Sequence, residues 1–401
     1  MPASSETEKG YAGGSRPAAV TVWRKAAVLG SLWAVSEIIL GSFLHNARVP
    51  FKGVLLTGIG VAVLVAGRRL WPERGLLWRA GLICAAMKSV SPSAVLLNPM
   101  IAIFMEGLLV EAGVLLLGGG PAGCLLGGGL AMTWCFVHTV GSKLIYYGPD
   151  VLYAYISGVE RLFGATAAGP GAAWWTLAAL AAAHFLAGLA AAGLGLRAAA
   201  SGAKVECRPV SIALPRRRAA GPDRAHSTRL LFLHFIVLAG LMFAGKSAPV
   251  RPQAAFCVFY GLACAFYYAR AGGLLKRWGV WIGIIGVSVL AGLLLGDWEA
   301  GLRMAARAFG LSMGFAAIGE ELLNPAVRAR VERFGGGIFF ETLEYAFSAL
   351  PLILSGLPSG RDMVTRPAAS LRTAIARAPE LLETIEKRAP GGEVPGGLAR
   401  L

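Results

Sequence analysis

Charged side chains are scarce in this sequence. Asp, Glu, Lys and Arg make up 15% of the 401 residues, whereas soluble domains carry about a quarter. Hydrophobic residues make up 56% of the chain and the mean hydropathy is +0.62. Apolar runs recur between residues 26 and 357, each long enough to cross a hydrocarbon core of about 30 Å. An ordinary soluble domain is therefore excluded, and we predict an all-α polytopic membrane protein.

The side chains of common metal sites and hydrolytic sites are also few. None of the six cysteines forms a C-x-x-C pair, and no histidine follows residue 234. Glu320 and Glu321 resemble the double glutamate of some intramembrane proteases, but the later histidines of that motif are missing. The sequence contains no H-E-x-x-H, G-x-S-x-G or P-loop. We therefore predict no catalytic residues, no metal site and no cofactor bound by this chain.

Acidic residues are outnumbered, with 22 against 38 basic ones and a net charge of +16. The basic residues lie in short segments between apolar runs, which is the pattern of cytoplasmic loops and not of a nucleic-acid platform. The basic N-terminal tail and the loop at 68–74 place the N-terminus in the cytoplasm. We predict a multi-pass protein of the cytoplasmic membrane with no nucleic-acid partner.

Composition changes along the chain divide it into five parts. Residues 197–229 hold eight basic residues against two acidic ones, which is typical of a cytoplasmic linker that contacts anionic membrane lipids. Apolar runs precede and follow this stretch. The predicted parts are a disordered tail at 1–23, a six-span module at 24–198, the basic linker at 199–228, a second membrane module with cytoplasmic amphipathic helices at 229–390, and a disordered tail at 391–401.

Small residues form a stripe on the first predicted helix. On a helical wheel, one face about 100° wide carries Ala26, Gly30, Ala34, Glu37 and Gly41. Small residues four apart let a second helix approach closely in lipid, and a carboxylate in a span must face protein because hydrocarbon disfavours it. We predict a helix interface here between the two modules. The alternatives are packing within the first module or chance spacing.

Polar side chains near the predicted outer ends of the spans suggest a binding pocket. Cations are disfavoured on the outer side of a membrane, yet this topology sends His45, Arg48, Lys52, Lys88, Asn98, Ser142 and Lys143 there. Their charge suits a small anionic solute. The predicted substrate-binding residues are Lys88, Asn98, Glu106, His138 and Lys143. Alternatively, Lys88 and Lys143 snorkel to the interface, or Glu106 forms a buried ion pair with a lysine.

Residues 20–200 resemble the substrate-binding S component of energy-coupling factor (ECF) vitamin transporters. The resemblance rests on six spans, an outward polar pocket and the pattern Ala26-x-x-x-Gly30-x-x-x-Ala34 on the first helix. In that family an A-x-x-x-A pattern docks the S component on its membrane partner. The resemblance thus implies that this stripe contacts the second module.

Residues 230–390 resemble the transmembrane coupling (T) component of the same transporters. The order matches: several spans, an apolar helix with Arg303 and Arg307, the turn "GEELLNP", a basic amphipathic helix and "ETLEYAFSALPLIL". The family's Ala-Arg-Gly coupling triplets and its final span are missing. The nearest stretches, "VRARVER" and "AIARAPE", give Arg328, Arg330 and Arg377 as the coupling residues that the resemblance implies.

The sequence therefore predicts membrane uptake of a small, anionic, vitamin-like solute by a fused S-like and T-like chain. ATP hydrolysis would come from separate ABC-type ATPase subunits, because the chain has no Walker motif. Two other functions stay open. One is an integral membrane enzyme or lipid-handling protein in which Glu106, Glu111 and His138 converge on a lipid-open groove. The other is a structural or assembly subunit without a ligand.

Overall fold

The computed structural model describes most of the chain, and the described part is helical without any β-strand. The described residues are 18–46, 51–88, 97–167, 171–200, 228–243, 249–322, 325–356 and 367–388. The predicted linker lies almost wholly outside them, as does most of both predicted tails.

Seven helices lie in the described residues that precede the linker. They are α1 (Ala18–Asn46), α2 (Lys52–Leu70), α3 (Leu76–Lys88), α4 (Leu97–Leu117), α5 (Pro121–Tyr147), α6 (Asp150–Ala167) and α7 (Ala172–Ala200). Helix α1 begins at Ala18, ahead of the predicted start at residue 24. The reason is that Trp23 packs edge-on against Trp78 of α3, so this segment belongs to the core and not to a tail.

Eight helices of the described residues follow the linker. They are α8 (Thr228–Phe243), α9 (Val250–Tyr267), α10 (Ala269–Leu275), α11 (Trp278–Leu295), α12 (Trp298–Glu321), α13 (Pro325–Val331), α14 (Gly337–Gly356) and α15 (Pro367–Arg388). A π-helical turn at Glu332–Gly336 joins α13 to α14. Helix α12 ends just before Asn324-Pro325, where the sequence predicts a break, because the residue before a proline disfavours helical geometry.

Five of these helices are long and apolar enough to cross a membrane: α2, α4, α5, α7 and α11. A sixth crossing results if α9 and α10, which meet at an angle of 118°, count as one broken span. Helix α3 has 13 described residues, or about 20 Å of helix, which is less than the hydrocarbon thickness. The described helices thus form a multi-pass membrane protein, in agreement with the predicted fold class at this level.

Glycines let the helices of the N-terminal part approach one another closely. Gly81 of α3 meets Gly107 of α4, and a Cβ on Gly107 would lie 2.9 Å from the Cα of Gly81. Two further pairs, Gly113 with Gly127 and Gly128 with Gly188, join α4 to α5 and α5 to α7 in the same way. In lipid, where burying apolar surface gives little driving force, such close contacts supply the packing energy.

Helix α12 is the centre of the C-terminal part. It packs against α8, α9, α10 and α11, and most of its side chains are buried. Gly310 and Gly314 lie on the faces toward α9 and α8, where a Cβ on Gly310 would touch Cys257. By contrast, α8, α9 and α11 expose large apolar side chains such as Phe232, Phe259 and Ile282, as helices in contact with lipid do.

Among the described residues, the two parts of the chain contact each other in two regions, the second of which also includes α6 against α11. At the first, α14 and α15 pack on α1, α2 and α7, so that Ala346, Ala374 and Ala378 join the core cluster of α1 to α3. The Ser31 hydroxyl donates to the carbonyl oxygen of Ala346 at 3.4 Å. At the second place, α12 meets the junction between α5 and α6, where Arg303 pairs with Asp150 at 3.1 Å.

Candidate functional site

A lysine–glutamate pair lies buried between α1 and α3. The Lys88 ammonium group donates to the Glu37 carboxylate at 3.3 Å and also to the backbone carbonyl oxygen of Glu37 at 3.3 Å. The two side chains are 14% and 8% exposed. A buried charge needs a partner and hydrogen bonds to offset its lost hydration, so each group explains the burial of the other. Neither side chain faces lipid alone.

Glu106 of α4 extends this polar cluster. Its Oε1 accepts a hydrogen bond of 2.8 Å from the Thr57 hydroxyl of α2, while its Oε2 is buried without a hydrogen-bond partner. Glu106 is close enough to Glu37 for the two carboxyl groups to interact electrostatically. The cluster therefore contains one lysine and two carboxyl groups. Among the described residues, one oxygen of Glu106 is left without a hydrogen-bond donor.

The other predicted substrate-binding residues lie farther along α4 and α5. The Ser142 hydroxyl donates to Asn98 Oδ1 at 3.2 Å, which joins the start of α4 to the last turns of α5. The His138 ring lies 5.8 Å from that of Trp134, and the Lys143 ammonium group lies 5.9 Å from the Tyr147 ring. Lys143 is exposed. These groups form local contacts and do not join the buried Glu37–Lys88 pair through any hydrogen bond of the described residues.

Glu111 has a separate role at the opposite end of α3. Its two carboxylate oxygens accept hydrogen bonds from the backbone N–H groups of Gly75 at 2.7 Å and Leu77 at 2.8 Å. The carboxylate thereby caps the N-terminus of α3, where unpaired N–H groups and the helix dipole favour a negative charge. Glu106, Glu111 and His138 thus bond to three different sets of partners, which gives no support to a catalytic site shared by all three.

The small-residue stripe of α1 packs mainly on α3. A Cβ on Gly30 would lie 2.7 Å from the carbonyl oxygen of Ala80, and one on Gly41 would lie 3.7 Å from the Lys88 ammonium nitrogen. Ala26 and Ala34 are buried in the same core. The structure places Gly30, Glu37 and Gly41 against the first part of the chain. Contact with the second part uses the neighbouring face, at Trp23 and Ser31.

An apolar cavity of about 360 Å³ lies among α1, α2, α5, α7 and α15. Its walls include Leu32 and Ser36 of α1, Gly58 of α2, Met132 of α5 and Ser370 of α15. The Ser36 hydroxyl donates to the carbonyl oxygen of Trp33 at 2.7 Å, so one of the few polar groups in the wall is already used. The volume falls within the range of roughly 300–1,000 Å³ that is usual for ligand sites.

None of the five predicted substrate-binding residues lines this cavity. Its α7 wall consists of Ala187, Ala190, Ala191 and Leu194, whose spacing of three and four residues marks one helix face. That spacing was present in the sequence. However, α7 is small and apolar on every face, so the pattern alone does not show which face borders a cavity.

The predicted coupling residues lie on α13 and α15. Arg330 is exposed on α13, whereas Arg377 is half-buried on the α15 surface that packs toward the N-terminal core. Arg328 belongs to α13, and its side chain is outside the described part. The residues that the structure describes contain no group of three or more His, Cys, Asp or Glu side chains placed to hold a metal ion.

Several apolar helices, glycine-mediated crossings and buried polar pairs define this chain as a multi-pass α-helical membrane protein. Comparison with protein-family models, curated proteins and solved structures finds no match.

Proposed function

We propose that this chain takes up a small solute across the cytoplasmic membrane as a fused substrate-binding and coupling subunit of an ECF-type ABC transporter. The cavity is the observation that carries this proposal. Four of its walls come from helices that precede the basic linker, and the fifth comes from α15 near the other end of the chain. A solute in this cavity would touch both parts, so its binding and the position of α15 would be energetically linked.

The chemistry of the cavity favours a solute with an apolar body. Vitamin-sized molecules that combine a ring system with a polar end meet this requirement. The sequence suggested an anion, because four cations were expected near the outer ends. Among the described residues, however, Lys88 is neutralised by Glu37, and Glu106 has an unpaired oxygen. Neither Lys88 nor Glu106 lines the cavity. Because the described residues of the cavity walls include no cation, we favour a solute without a strong negative charge over an anionic one.

ABC-type ATPase subunits are the expected partners and the source of ATP hydrolysis. Arg330 on α13 is exposed and so accessible to a cytoplasmic protein, while Arg377 lies on the helix that forms the cavity wall. A partner that moved α13 would act on α14, which follows it and packs on α1. Affinity purification from native membranes should recover ATPase subunits, and Arg330→Glu should reduce their recovery.

Two matched substitutions test the cavity. A Cβ on Gly58 would meet only the ends of Met132 and Ala191 at 3.5 and 3.9 Å, so Gly58→Leu would place its side chain in the cavity. Gly193 of α7 has open space around it and does not line the cavity, so Gly193→Leu is the control. Native mass spectrometry of the full chain in nanodiscs would identify a retained small molecule, and cells would then be tested for its uptake.

We expect Gly58→Leu to lose the retained molecule and its uptake, and Gly193→Leu to keep both. Equal retention by the two variants would contradict the cavity as the binding site. Uptake that is unchanged when ATPase subunits are deleted would contradict the ECF assignment.

Lipid handling is a second candidate, because an apolar cavity among membrane helices also suits an acyl chain. The same mass spectra separate the two functions. A phospholipid or fatty acid retained by the wild type and lost in Gly58→Leu would favour lipid handling, whereas a water-soluble vitamin-like molecule would favour uptake.

A further inference from the structure

The break between α9 and α10 holds a buried tyrosine. The two helices meet at 118° around Tyr268, whose side chain is 2% exposed. Broken helices at membrane depth are tolerated where they are covered by protein, and they recur at ion and substrate sites of transporters. The hydroxyl of Tyr268 points between α8 and α12, away from the cavity described above.

Three further side chains complete a hydrogen-bonded chain through this hydroxyl. Tyr268 donates to Glu321 Oε1 of α12 at 2.7 Å, and the Nε2 atom of His234 on α8 lies 2.9 Å from the same hydroxyl. The Nδ1 atom of His234 lies 2.7 Å from the hydroxyl of Tyr260 on α9. Glu321 is fully buried and His234 is 6% exposed. Glutamate, tyrosine and histidine are thus linked in series with no water needed between them.

The carboxylate of Glu321 lacks some of the hydrogen bonds that an ionised carboxylate needs. Among the described residues, the Glu321 Oε2 atom is buried without a hydrogen-bond partner, although an ionised carboxylate normally accepts several bonds. A lone buried charge is costly in a membrane, and such groups usually pair or take up a proton. Histidine at the other end can hold a second ring proton. Burial thus favours neutralisation of the Glu321 carboxylate, and His234 can accept the proton that neutralises the site.

We infer that His234, Tyr268 and Glu321 form a binding site for one exchangeable proton. Without the added proton, His234 carries hydrogen on Nε2 and donates to Tyr268, Tyr268 donates to the Glu321 carboxylate, and Tyr260 donates to Nδ1. The added proton forms an N–H bond at Nδ1. Tyr260 then accepts from Nδ1 and turns its own hydrogen to the neighbouring Cys264 thiol. The hydrogen bonds that link Tyr260, His234, Tyr268 and Glu321 are kept in both protonation states.

A proton can also pass from His234 through Tyr268 to Glu321 without any change in the total number of hydrogens. The Nε2–H bond of His234 breaks as its proton joins the Tyr268 oxygen, and the former Tyr268 hydrogen forms an O–H bond on Glu321. Imidazolium and carboxylate become neutral imidazole and carboxylic acid. Such proton relays through Glu and His recur inside membrane pumps and transporters.

Two oppositely charged side chains lie close to this site. Glu320 of α12 interacts electrostatically with Arg270 of α10 and accepts a 3.0 Å hydrogen bond from the backbone N–H of Arg270. These two opposite charges offset each other. Among the described residues, the other titratable groups beside the site are the hydroxyls of Tyr260 and Tyr267 and the thiol of Cys264, which carry no charge in their protonated forms. Proton binding thus changes the local charge from −1 to zero.

This site lies beyond the proposed uptake function. Glu321 ends α12, and Arg307 on the same helix donates to the carbonyl oxygens of Ile145 on α5 and Met242 on α8. Arg307 and Glu321 are 14 positions apart in the sequence, which corresponds to about 21 Å of helix. Protonation at one end of α12 would therefore act on the helix whose other end contacts the N-terminal part.

Infrared difference spectra of the full chain in nanodiscs test the site, recorded between acidic and alkaline buffer and repeated in deuterated water. We expect a carboxyl band and a histidine band that titrate with the same midpoint. In Glu321→Gln the carboxyl band should be lost, and the histidine band should be lost or titrate with a different midpoint. In Tyr268→Phe the two bands should titrate independently. Glu320→Gln is the matched control and should leave both bands in place.

A carboxyl band that persists in Glu321→Gln, or the absence of any titrating histidine band linked to it, would overturn the inference. If Glu321→Gln does not fold, the wild type decides through nuclear magnetic resonance of isotope-labelled histidine. His234, assigned by its loss in His234→Gln, should gain a proton on Nδ1 as the pH falls. A single unchanging tautomer over the whole range would refute the proposal.

Discussion

The guanidinium group of Arg303 lies 3.1 Å from the carboxylate of Asp150, which precedes it by 153 residues. This ion pair joins α12 to the start of α6 and so connects the two parts of the chain across the linker. Asp150 is 2% exposed, and the neighbouring Arg307 donates to two backbone carbonyl oxygens. Arg303 and Arg307, which lie on the segment that resembles an arginine-bearing helix of the T component, therefore contact other residues of this same chain.

Removing the Asp150 charge is expected to loosen this contact. Asp150→Asn should lower the free energy of unfolding by about 2 kcal/mol. This loss lies between that expected for breaking an ion pair at the surface and that for breaking a fully buried one. Thermal melting in detergent would measure the change, with the exposed Glu160→Gln on the same helix as control. In a double-mutant cycle with Arg303→Gln, strict additivity would show that the pair contributes nothing.

The Glu37–Lys88 pair should behave as a unit. Lys88→Met leaves a buried carboxylate without its cation and is expected to cost about 3–5 kcal/mol of stability. Combining it with Glu37→Gln removes the second charge and should restore much of the loss. Chemical unfolding in mixed micelles measures both variants. A double variant less stable than Lys88→Met alone would contradict the pairing.

Glycine positions on one stripe of α1 should differ sharply in tolerance. A Cβ on Gly30 would press on the Ala80 carbonyl oxygen at 2.7 Å, whereas one on Gly41 meets only flexible side-chain ends beyond 3.5 Å. Gly30→Ala should therefore destabilise by about 1–3 kcal/mol, as overpacking does, and Gly41→Ala should be neutral or slightly stabilising. Melting curves of the two variants make the comparison, and equal melting temperatures would rule out close α1–α3 packing.

The Glu111 cap predicts a local effect at the start of α3. Glu111→Gln keeps one acceptor but loses the charge and the second hydrogen bond, which should cost about 1–2 kcal/mol. Hydrogen exchange should rise at Gly75 and Leu77 and not along α4. The exposed Glu341→Gln on α14 serves as control. Exchange that rises equally along both helices would indicate general unfolding in place of a lost cap.

Contact between α1 and α14 should hold the chain together after the linker is cut. With a protease site inserted in residues 201–227, the two fragments should elute as one species in detergent. Ala346 is fully buried beside Ser31, so Ala346→Leu should weaken this association, whereas Glu341→Leu on the exposed face of α14 should not. Fragments that separate in the unsubstituted protein would contradict the contact.

The sequence predicted those features of the fold that depend on local composition. Apolar length determines which segments can cross a membrane, so helices such as α4 and α11 were predictable. The break at Asn324-Pro325 was predictable too, because proline chemistry acts on its immediate neighbour. The polar character of Glu37, Lys88 and Glu106 was evident. Glu37 was expected to face protein, whereas Lys88 and Glu106 were predicted to bind a solute, with a snorkelling lysine or a buried ion pair as the alternatives.

Partner choice was not predictable, because it depends on how helices far apart in sequence align. Lys88 was assigned to a ligand and Glu37 to a helix interface, yet the register of α1 against α3 pairs them. Similarly, the cavity takes walls from five helices, one of them nearly 170 residues beyond the nearest other wall. No linear pattern encodes such a combination. The relay at Tyr268 was missed because tyrosine in a span is ordinarily read as an interfacial residue.

The α15 wall also has a consequence for the order in which the protein matures. A membrane chain is made from its N-terminus, so α1, α2, α5 and α7 enter the bilayer well before α15 leaves the ribosome. Until Ser370, Ala374 and Ile375 arrive, the cavity lacks one side. A chain arrested after α14 would contain every described helix that is long and apolar enough to cross a membrane, and its cavity would still be unfinished. Completion of the cavity is thus a late event in biosynthesis, set by the last helix that the structure describes.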